Sequence, residues 1–209
     1  MLRLKPGDDV EVFDGVRSCL VRLESLGGRL SGRVLNGLAD GPDCGLDVTL
    51  AFGCVRPGPL EQILRHCTEL GVRCFAPILS SRATRRPSER KERWVSIVAS
   101  AAGQCGRSRV PEVRPPASLP SFLATTQKQA TKLILSLGDD AAPLLEVIEA
   151  EHSAKVTVLV GPEGGFAQSE ETLATDAGFC PVSLGSARLR AETAAIVAVG
   201  AVMLSRRQK

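Results

Sequence analysis

The sequence predicts an α/β fold with a mostly parallel sheet, preceded by a small β unit. Three observations predict it. From Asp47 onward, short strand-like runs alternate with stretches of helical periodicity, the pattern of a parallel sheet covered on both faces. Lys155–Val160 is a nearly unbroken apolar run, as expected of a strand buried on both sides. The residues before 47 follow a different pattern of short runs and turn residues. The expected division is therefore 1–46 and 47–209.

In the first unit, Val10–Phe13 and Cys19–Leu23 read as strands. Breaks fall at Pro6-Gly7-Asp8, Asp14-Gly15, Gly27-Gly28, Asn36-Gly37 and Asp40-Gly41-Pro42. A stretch of about 45 residues is thin for a core of its own, so this unit is expected to lean on the rest of the chain or to be incomplete.

The second unit opens with a strand at Asp47–Phe52. Leu60, Ile63, Leu64, Cys67 and Leu70 recur at helical spacing, with Gly71 as the C-cap. Cys74–Leu79 is the next strand. A helix over 88–104 follows, with Ser88 as N-cap. Val110–Pro120 carries Pro111, Pro115, Pro116 and Pro120 and reads as an irregular connection. Thr131–Leu137 is a strand, Ala142–Glu151 a helix, Lys155–Val160 a strand and Ser169–Asp176 a helix with Gly178 beyond it. Phe179–Leu184 is the last strand, and Ala191 to Arg206 the last helix. Ligands in such folds sit beyond the carboxyl ends of the strands. That position belongs to the loops Leu137–Ala141, Gly161–Phe166 and Gly185–Arg190.

Composition narrows the class. Apolar residues make up 44% and charged residues 23% of the 209, an ordinary balance for a globular protein. Arg3, Lys5, Asp8 and Asp9 break any secretory pattern at the start. Ala194–Leu204, the longest apolar run, is too short to span a bilayer as a helix. A cytoplasmic protein with no membrane partner is expected. The seven cysteines include no C-x-x-C pair and there are two histidines, so no metal site is expected, and most thiols should be small buried hydrophobes. The net charge of +3 is unevenly spread: nine Arg or Lys against three acids over Ser80–Arg114, and nine acids against Lys155 over Asp139–Asp176. This dipolar pattern suits a surface that steers a polyanion, or else a solvated, charge-laced helix.

Gly161-Pro162-Glu163-Gly164-Gly165-Phe166 directly follows the buried-type strand. It is neither a dinucleotide fingerprint, which opens a helix with G-x-G-x-x-G, nor a phosphate loop, which needs Gly-Lys-Ser/Thr. By itself it reads equally as a ligand loop or a tight structural turn.

Six segments carry a resemblance. They are Leu2-Arg3-Leu4-Lys5-Pro6-Gly7-Asp8, Phe13-Asp14-Gly15, Thr68-Glu69-Leu70-Gly71-Val72, Gln104-Cys105-Gly106-Arg107-Ser108-Arg109-Val110-Pro111-Glu112, Leu159-Val160-Gly161-Pro162-Glu163-Gly164-Gly165-Phe166 and Leu189-Arg190-Ala191-Glu192-Thr193-Ala194. In this order they resemble the bacterial methyltransferases that modify N3 of a uridine in small-subunit (16S) ribosomal RNA. These belong to the class whose methyltransferase domain ends in a trefoil knot. The resemblance implies a knotted α/β methyltransferase domain after a truncated, β-barrel-like (PUA-like) RNA-binding domain. It implies a homodimer acting on 16S rRNA in the small ribosomal subunit.

The implied cofactor is S-adenosyl-L-methionine. Carried over by position, its pocket uses Leu135, Gly161, Pro162, Glu163, Gly164, Gly165, Leu184, Gly185, Leu189 and Arg190. Uridine N3 must lose its proton as the methyl group arrives. Arg190 is the leading candidate to stabilise the resulting charge on O2 or O4, since a guanidinium suits two-point contact with a planar edge. Glu192 would orient Arg190 or take the proton, with Glu163 as its rival; Glu192 would equally serve as an acid in the first turn of the last helix. Arg82, Arg85, Arg86, Arg107 and Arg109 are the candidates for RNA phosphate contacts.

The family pattern has a basic residue near position 59, a lysine at 66, an acid at 103 and an arginine at 187. This sequence has Pro59, His66, Gly103 and Ala187. These departures leave two other readings open: a non-catalytic RNA-binding protein that keeps the fold, and a methyltransferase for another RNA position.

Overall fold

The structure, a computed structural model, describes residues 4–13, 18–38, 45–53, 55–83, 91–107, 109–127 and 129–205. It begins with three antiparallel strands, β1 (Asp9–Phe13), β2 (Ser18–Ser25) and β3 (Ser31–Leu38), in the order β1-β2-β3. Asp9 lies directly opposite Arg22. The guanidinium donates from Nε to Oδ1 at 2.7 Å and from Nη2 to Oδ2 at 2.8 Å, which holds the Asp9 carboxyl below its usual range.

The strand β3 is not what the turn signal at Asn36-Gly37 predicts. The register explains it. Leu20 pairs with Asn36 and Val21 with Val34, so one extra residue bulges out of β3 and the chain runs through Asn36 without turning. The small sheet leans on the larger unit as expected: the ring edge of Phe13 lies over Gly103, where a Cβ would sit 3.4 Å from Phe13 Cε1 and Cζ.

The larger unit comprises β4 (Asp47–Gly53), α1 (Pro57–Leu70), β5 (Cys74–Leu79), α2 (Lys91–Gln104), β6 (Glu112–Val113), β7 (Ala117–Ser118) and α3 (Leu119–Thr125). It continues with β8 (Thr131–Leu135), β9 (Ala142–Pro143), α4 (Leu144–Ala150), β10 (Lys155–Val160), α5 (Gln168–Asp176), β11 (Cys180–Ser183) and α6 (Ala191–Ser205). Its eight strands run β6-β5-β4-β10-β8-β11-β9, with β7 also on β5. Every pairing is parallel.

The period-2 alternation of strand residues divides the core. Leu50, Phe52, Val158 and Val160 face one side, where α1, α2, α4 and α6 pack. Ala51, Leu159 and Ile134 face the other, where α3 and α5 contribute Phe122, Leu123 and Ala174. Residues 156–160 of β10 are buried throughout, which accounts for its unbroken apolar run.

Expected boundaries shift at the Val110–Pro120 connection and at the start of α4. The irregular connection at Val110–Pro120 contains the two-residue strands β6 and β7 and the first turn of α3. Pro120 falls in that first turn, where its missing N–H costs nothing, and the Ser118 side chain accepts from Ser121 N. Ala142 and Pro143 pair with β11 before α4 begins. Among the described residues α2 starts at Lys91, and the expected cap Ser88 lies outside them. Gly71 caps α1 as expected, with its N–H on the Cys67 and Thr68 carbonyls.

The apolar last helix is buried on one side only. Ala195, Ala198, Val199 and Val202 are inaccessible, while Val197 is 44% and Leu204 63% exposed. Among the described residues, no helix is long and apolar enough to cross a membrane.

Cys67 and Cys74 are buried, and burial pushes both thiols up to about 12. Cys105 is exposed, and Cys19 and Cys180 are half-buried, so burial is less general than expected. Cys44 and Cys54 lie outside the described residues. A thiol reagent at mildly alkaline pH is expected to label Cys105 and to spare Cys67 and Cys74 until the protein is unfolded. Peptide mapping checks this; labelling of native Cys67 as fast as Cys105 would contradict it.

Candidate active site

Because all strands of the large sheet run the same way, the loops after β4, β10, β8 and β11 emerge side by side from one edge. This brings together residues far apart in sequence. Leu135 ends β8, Gly161–Gly165 follows β10, Leu184 and Gly185 follow β11, and Leu189 and Arg190 lead into α6. Leu135 and Leu184 are half-buried; Leu189 and Arg190 are exposed.

The glycine turn after β10 is folded back on itself. Gly165 N donates to the Pro162 carbonyl at 2.8 Å, and Gly165 has φ of 68°, which glycine adopts without strain. A Cβ on Gly161 would lie 3.1 Å from the Gly165 and Phe166 main chain. Phe166 is buried in the core beside α3 and α5 and anchors the far end of the turn.

Neighbouring strands hold this turn in place. At the end of β4, a Cβ on Gly53 would lie 2.4 Å from Pro162 Cδ and 2.6 Å from Pro162 N, so only hydrogen fits there. Arg56 donates to Glu163 Oε1 from its main-chain N at 3.3 Å and from Nε at 3.5 Å. Across β4, the loop after β5 supplies Arg82, whose Nη1 donates to the Gly164 and Phe166 carbonyls at 3.1 and 3.2 Å. At the end of β8, Ser136 N donates to the Val182 carbonyl at 3.0 Å, fastening that loop to β11.

Gly53, Arg56, Ser81 and Glu170 support the turn, Ser81 by donating to the Glu170 carboxylate that also accepts from Ala167 N, and sequence reasoning does not single them out. Gly53 carries a faint signal, a glycine closing a buried strand. The others become visible only through tertiary contact.

Glu192 lies in the first turn of α6 at 8% exposure and has no hydrogen-bond or ion-pair partner among the described residues. A carboxylate there is favoured by the helix dipole. Arg190 stands just before that N-terminus, where a cation is disfavoured, so helix stability does not account for it. Its carbonyl accepts from Ala194 N at 2.8 Å, starting the helix.

The candidate phosphate ligands divide. Arg85 and Arg86 lie outside the described residues. Arg109 is half-buried and has no partner among the described residues. Arg107 holds the end of α1, where its Nη1 donates to the Thr68 and Val72 carbonyls at 2.7 and 2.9 Å. Arg93 pairs with Glu61 at 2.6 Å and Arg114 with Glu112 at 3.5 Å. Part of the positive charge between Ser80 and Arg114 is thus used inside the protein. Arg107→Ala is expected to cost about 1–3 kcal/mol of stability by taking the side-chain donor from the Val72 carbonyl and leaving the Thr68 carbonyl with Gly71 N alone, read as a lower denaturation midpoint. An unchanged midpoint would free Arg107 for a purely external role.

A polar depression also lies at the opposite end of the sheet, lined by Asp47, Thr49, Arg114, Lys155 and Thr157. It is bounded by the amino ends of β4 and β10, and the glycine turn does not reach it. Among the described residues, no group of three or more His, Cys, Asp or Glu gathers as a metal ion would need.

Residues 42–203 match the RNA methyltransferase domain family. The chain is 35% identical to the ribosomal RNA small subunit methyltransferase E of Synechocystis sp., over 97% of this chain and 68% of that protein. It is 32% identical to the protein of the same name from Mycobacterium tuberculosis, over 96% of this chain and 79% of that one. The crystal structure of a ribosomal RNA small subunit methyltransferase E from Neisseria gonorrhoeae bound to S-adenosyl methionine superposes with a TM-score of 0.87 at 32% identity, covering 97% of this chain and 85% of that chain.

Proposed function

Since this chain belongs to the ribosomal RNA small subunit methyltransferase E family, we propose that it methylates N3 of a uridine in 16S ribosomal RNA, using S-adenosylmethionine. The observation that carries the reading is the convergence of the glycine turn and the loops after β8 and β11 at the carboxyl ends of adjacent strands. The residues there fit the donor. Gly53 and Gly161 pack closely against Pro162 and the Gly165–Phe166 main chain and fix the turn, while nothing lies within 4 Å of where a Cβ on Gly165 or Gly185 would sit, which leaves their main chain open to a ligand. Leu135, Leu184 and Leu189 offer apolar contact, and Pro162, Gly164, Gly165 and Gly185 complete the lining.

When bound, S-adenosylmethionine supplies an electrophilic methyl group on a sulfonium. The chain must align N3 with it, draw off the N3 proton and stabilise the uracil oxygens as charge develops. Arg190 is proposed to stabilise those oxygens; its exposure at the rim and its poor fit to a helix N-terminus support this. Glu192 is proposed to receive the proton or orient Arg190. What supports it over Glu163 is that Glu163 Oε1 is already taken by Arg56, whereas Glu192 has no partner among the described residues.

The finer architecture belongs to the same proposal: a division at 1–46 and 47–209, a PUA-like first unit, and a trefoil knot in the second. The separate antiparallel sheet supports the division, and the placing of β10 between the earlier strands β4 and β8 supports a threaded chain. A homodimer is proposed through α6, whose exposed Val197 and Leu204 would be covered. Phosphate contact is proposed for Arg109, and for Arg85 and Arg86 from the sequence pattern; Arg82 and Arg107 are left out of that set, each having main-chain carbonyls to serve.

Calorimetric titration with S-adenosylmethionine tests the reading. Saturable binding at one site per protomer is expected. No heat of binding, with or without small-subunit RNA present, would contradict it.

A further inference from the structure

The glycine turn and the start of α5 are tied not only to the sheet neighbour β4 but also to the loop after β5, which β4 separates from β10. Four hydrogen bonds cross that gap. Arg82 Nη1 reaches the carbonyls of Gly164 and Phe166. Ser81 donates to Glu170 from N at 2.7 Å and from Oγ at 3.0 Å. In a fifth bond, Glu170 Oε2 accepts from Ala167 N at 2.9 Å, where the turn enters α5. One carboxylate therefore serves both loops, and one guanidinium nitrogen fixes two carbonyls that bracket Gly165. The Arg82 stem packs beside Gly164, where a Cβ would lie 3.6 Å from Arg82 Cβ.

The turn's usefulness as a cradle depends on where its main-chain groups point. Carbonyls held by Arg82 are turned toward the β5 loop, which commits the intervening peptide planes. Bonds involving an ionised partner are the strong kind, and here three involve the Glu170 carboxylate and two the guanidinium. The sequence places Arg82 first in an arginine-rich stretch, which reads as a phosphate contact; the geometry reads otherwise.

We propose that Arg82 and Glu170 are positioning residues, clamping the loop after β5 onto the glycine turn and holding it in the shape that receives the methyl donor. The inference rests on the methyltransferase reading of this site but is tested separately from it. The variants are Arg82→Ala, Arg82→Lys and Glu170→Gln. The readouts are S-adenosylmethionine affinity, amide hydrogen exchange over 161–167, and affinity for small-subunit RNA at several salt concentrations.

Arg82→Ala is expected to weaken donor binding about tenfold, the size of losing charge-assisted bonds. It should speed exchange over 161–167 and leave RNA affinity and its salt slope as in the wild type. In turnover the loss should fall on the donor KM, with kcat at saturating donor little changed. Arg82→Lys, which keeps N–H donors on a flexible stem, should recover part of the affinity. Glu170→Gln, which keeps one acceptor oxygen, should show a smaller loss with the same exchange signature.

Donor affinity and exchange both unchanged in Arg82→Ala would overturn the clamp. A salt slope lower by about one would then assign Arg82 to a phosphate. A wild-type chain that binds no donor would defeat the methyltransferase reading instead. Exchange over 161–167 would then decide the clamp alone, faster exchange in the variants supporting it and unchanged exchange overturning it.

Discussion

Gly53→Ala is expected to abolish tight binding of S-adenosylmethionine while leaving the chain folded. The added methyl would lie 2.4 Å from Pro162 Cδ and 2.6 Å from Pro162 N. A flexible side chain would swing aside, but a pyrrolidine ring and its own main chain have nowhere to rotate. Gly53 does not have a positive φ, so alanine suits its backbone and the effect is steric alone. The turn must move by most of an ångström, and misplacement on that scale costs about 100-fold where geometry decides. Overpacking should cost a further ~1–3 kcal/mol of stability. Gly58→Ala is the control. It lies in the first turn of α1, where a Cβ meets nothing within 4 Å, and should be neutral in both measurements. Calorimetry and denaturant melts read both effects. Undiminished donor affinity in Gly53→Ala would mean that the turn does not form the donor cradle.

Arg190→Ala is expected to lower kcat by about 10²–10³, the usual penalty for removing one group that stabilises developing charge. The side chain is exposed and has no partner among the described residues, so its loss should barely alter the melting temperature. Arg190→Lys should fall between, because an ammonium keeps the charge but not the planar two-point contact. Single-turnover rates at saturating donor and RNA separate this from weakened binding. An unchanged rate would remove Arg190 from the chemistry and leave Glu192 without a cation to orient.

The sheet was legible because its strands announce themselves. Val156–Val160 and Val48–Phe52 are apolar on both faces, and only a central parallel strand needs that. The glycine turn was legible as a motif, and its neighbours along the sheet edge followed once the strands were known to run parallel. What stayed hidden depends on contacts distant in sequence. Asn36-Gly37 carries a turn signal, yet a bulge against β2 absorbs it. Pro120 reads as a breaker, but Ser118 caps a helix around it. Arg82 and Arg107 look like surface charge, and only the fold shows each serving main-chain carbonyls. Charge counting along the chain cannot tell a guanidinium that faces solvent from one that closes a helix end.

Methyl transfer itself is the deciding measurement. The purified protein would be incubated with labelled S-adenosylmethionine and small ribosomal subunits from a strain lacking the modification, and the RNA digested to nucleosides. Incorporation approaching one methyl group per subunit is expected, recovered as N3-methyluridine. Incorporation at another base or at a ribose would contradict the assigned acceptor, and no incorporation by a protein that binds the donor would contradict the catalytic reading.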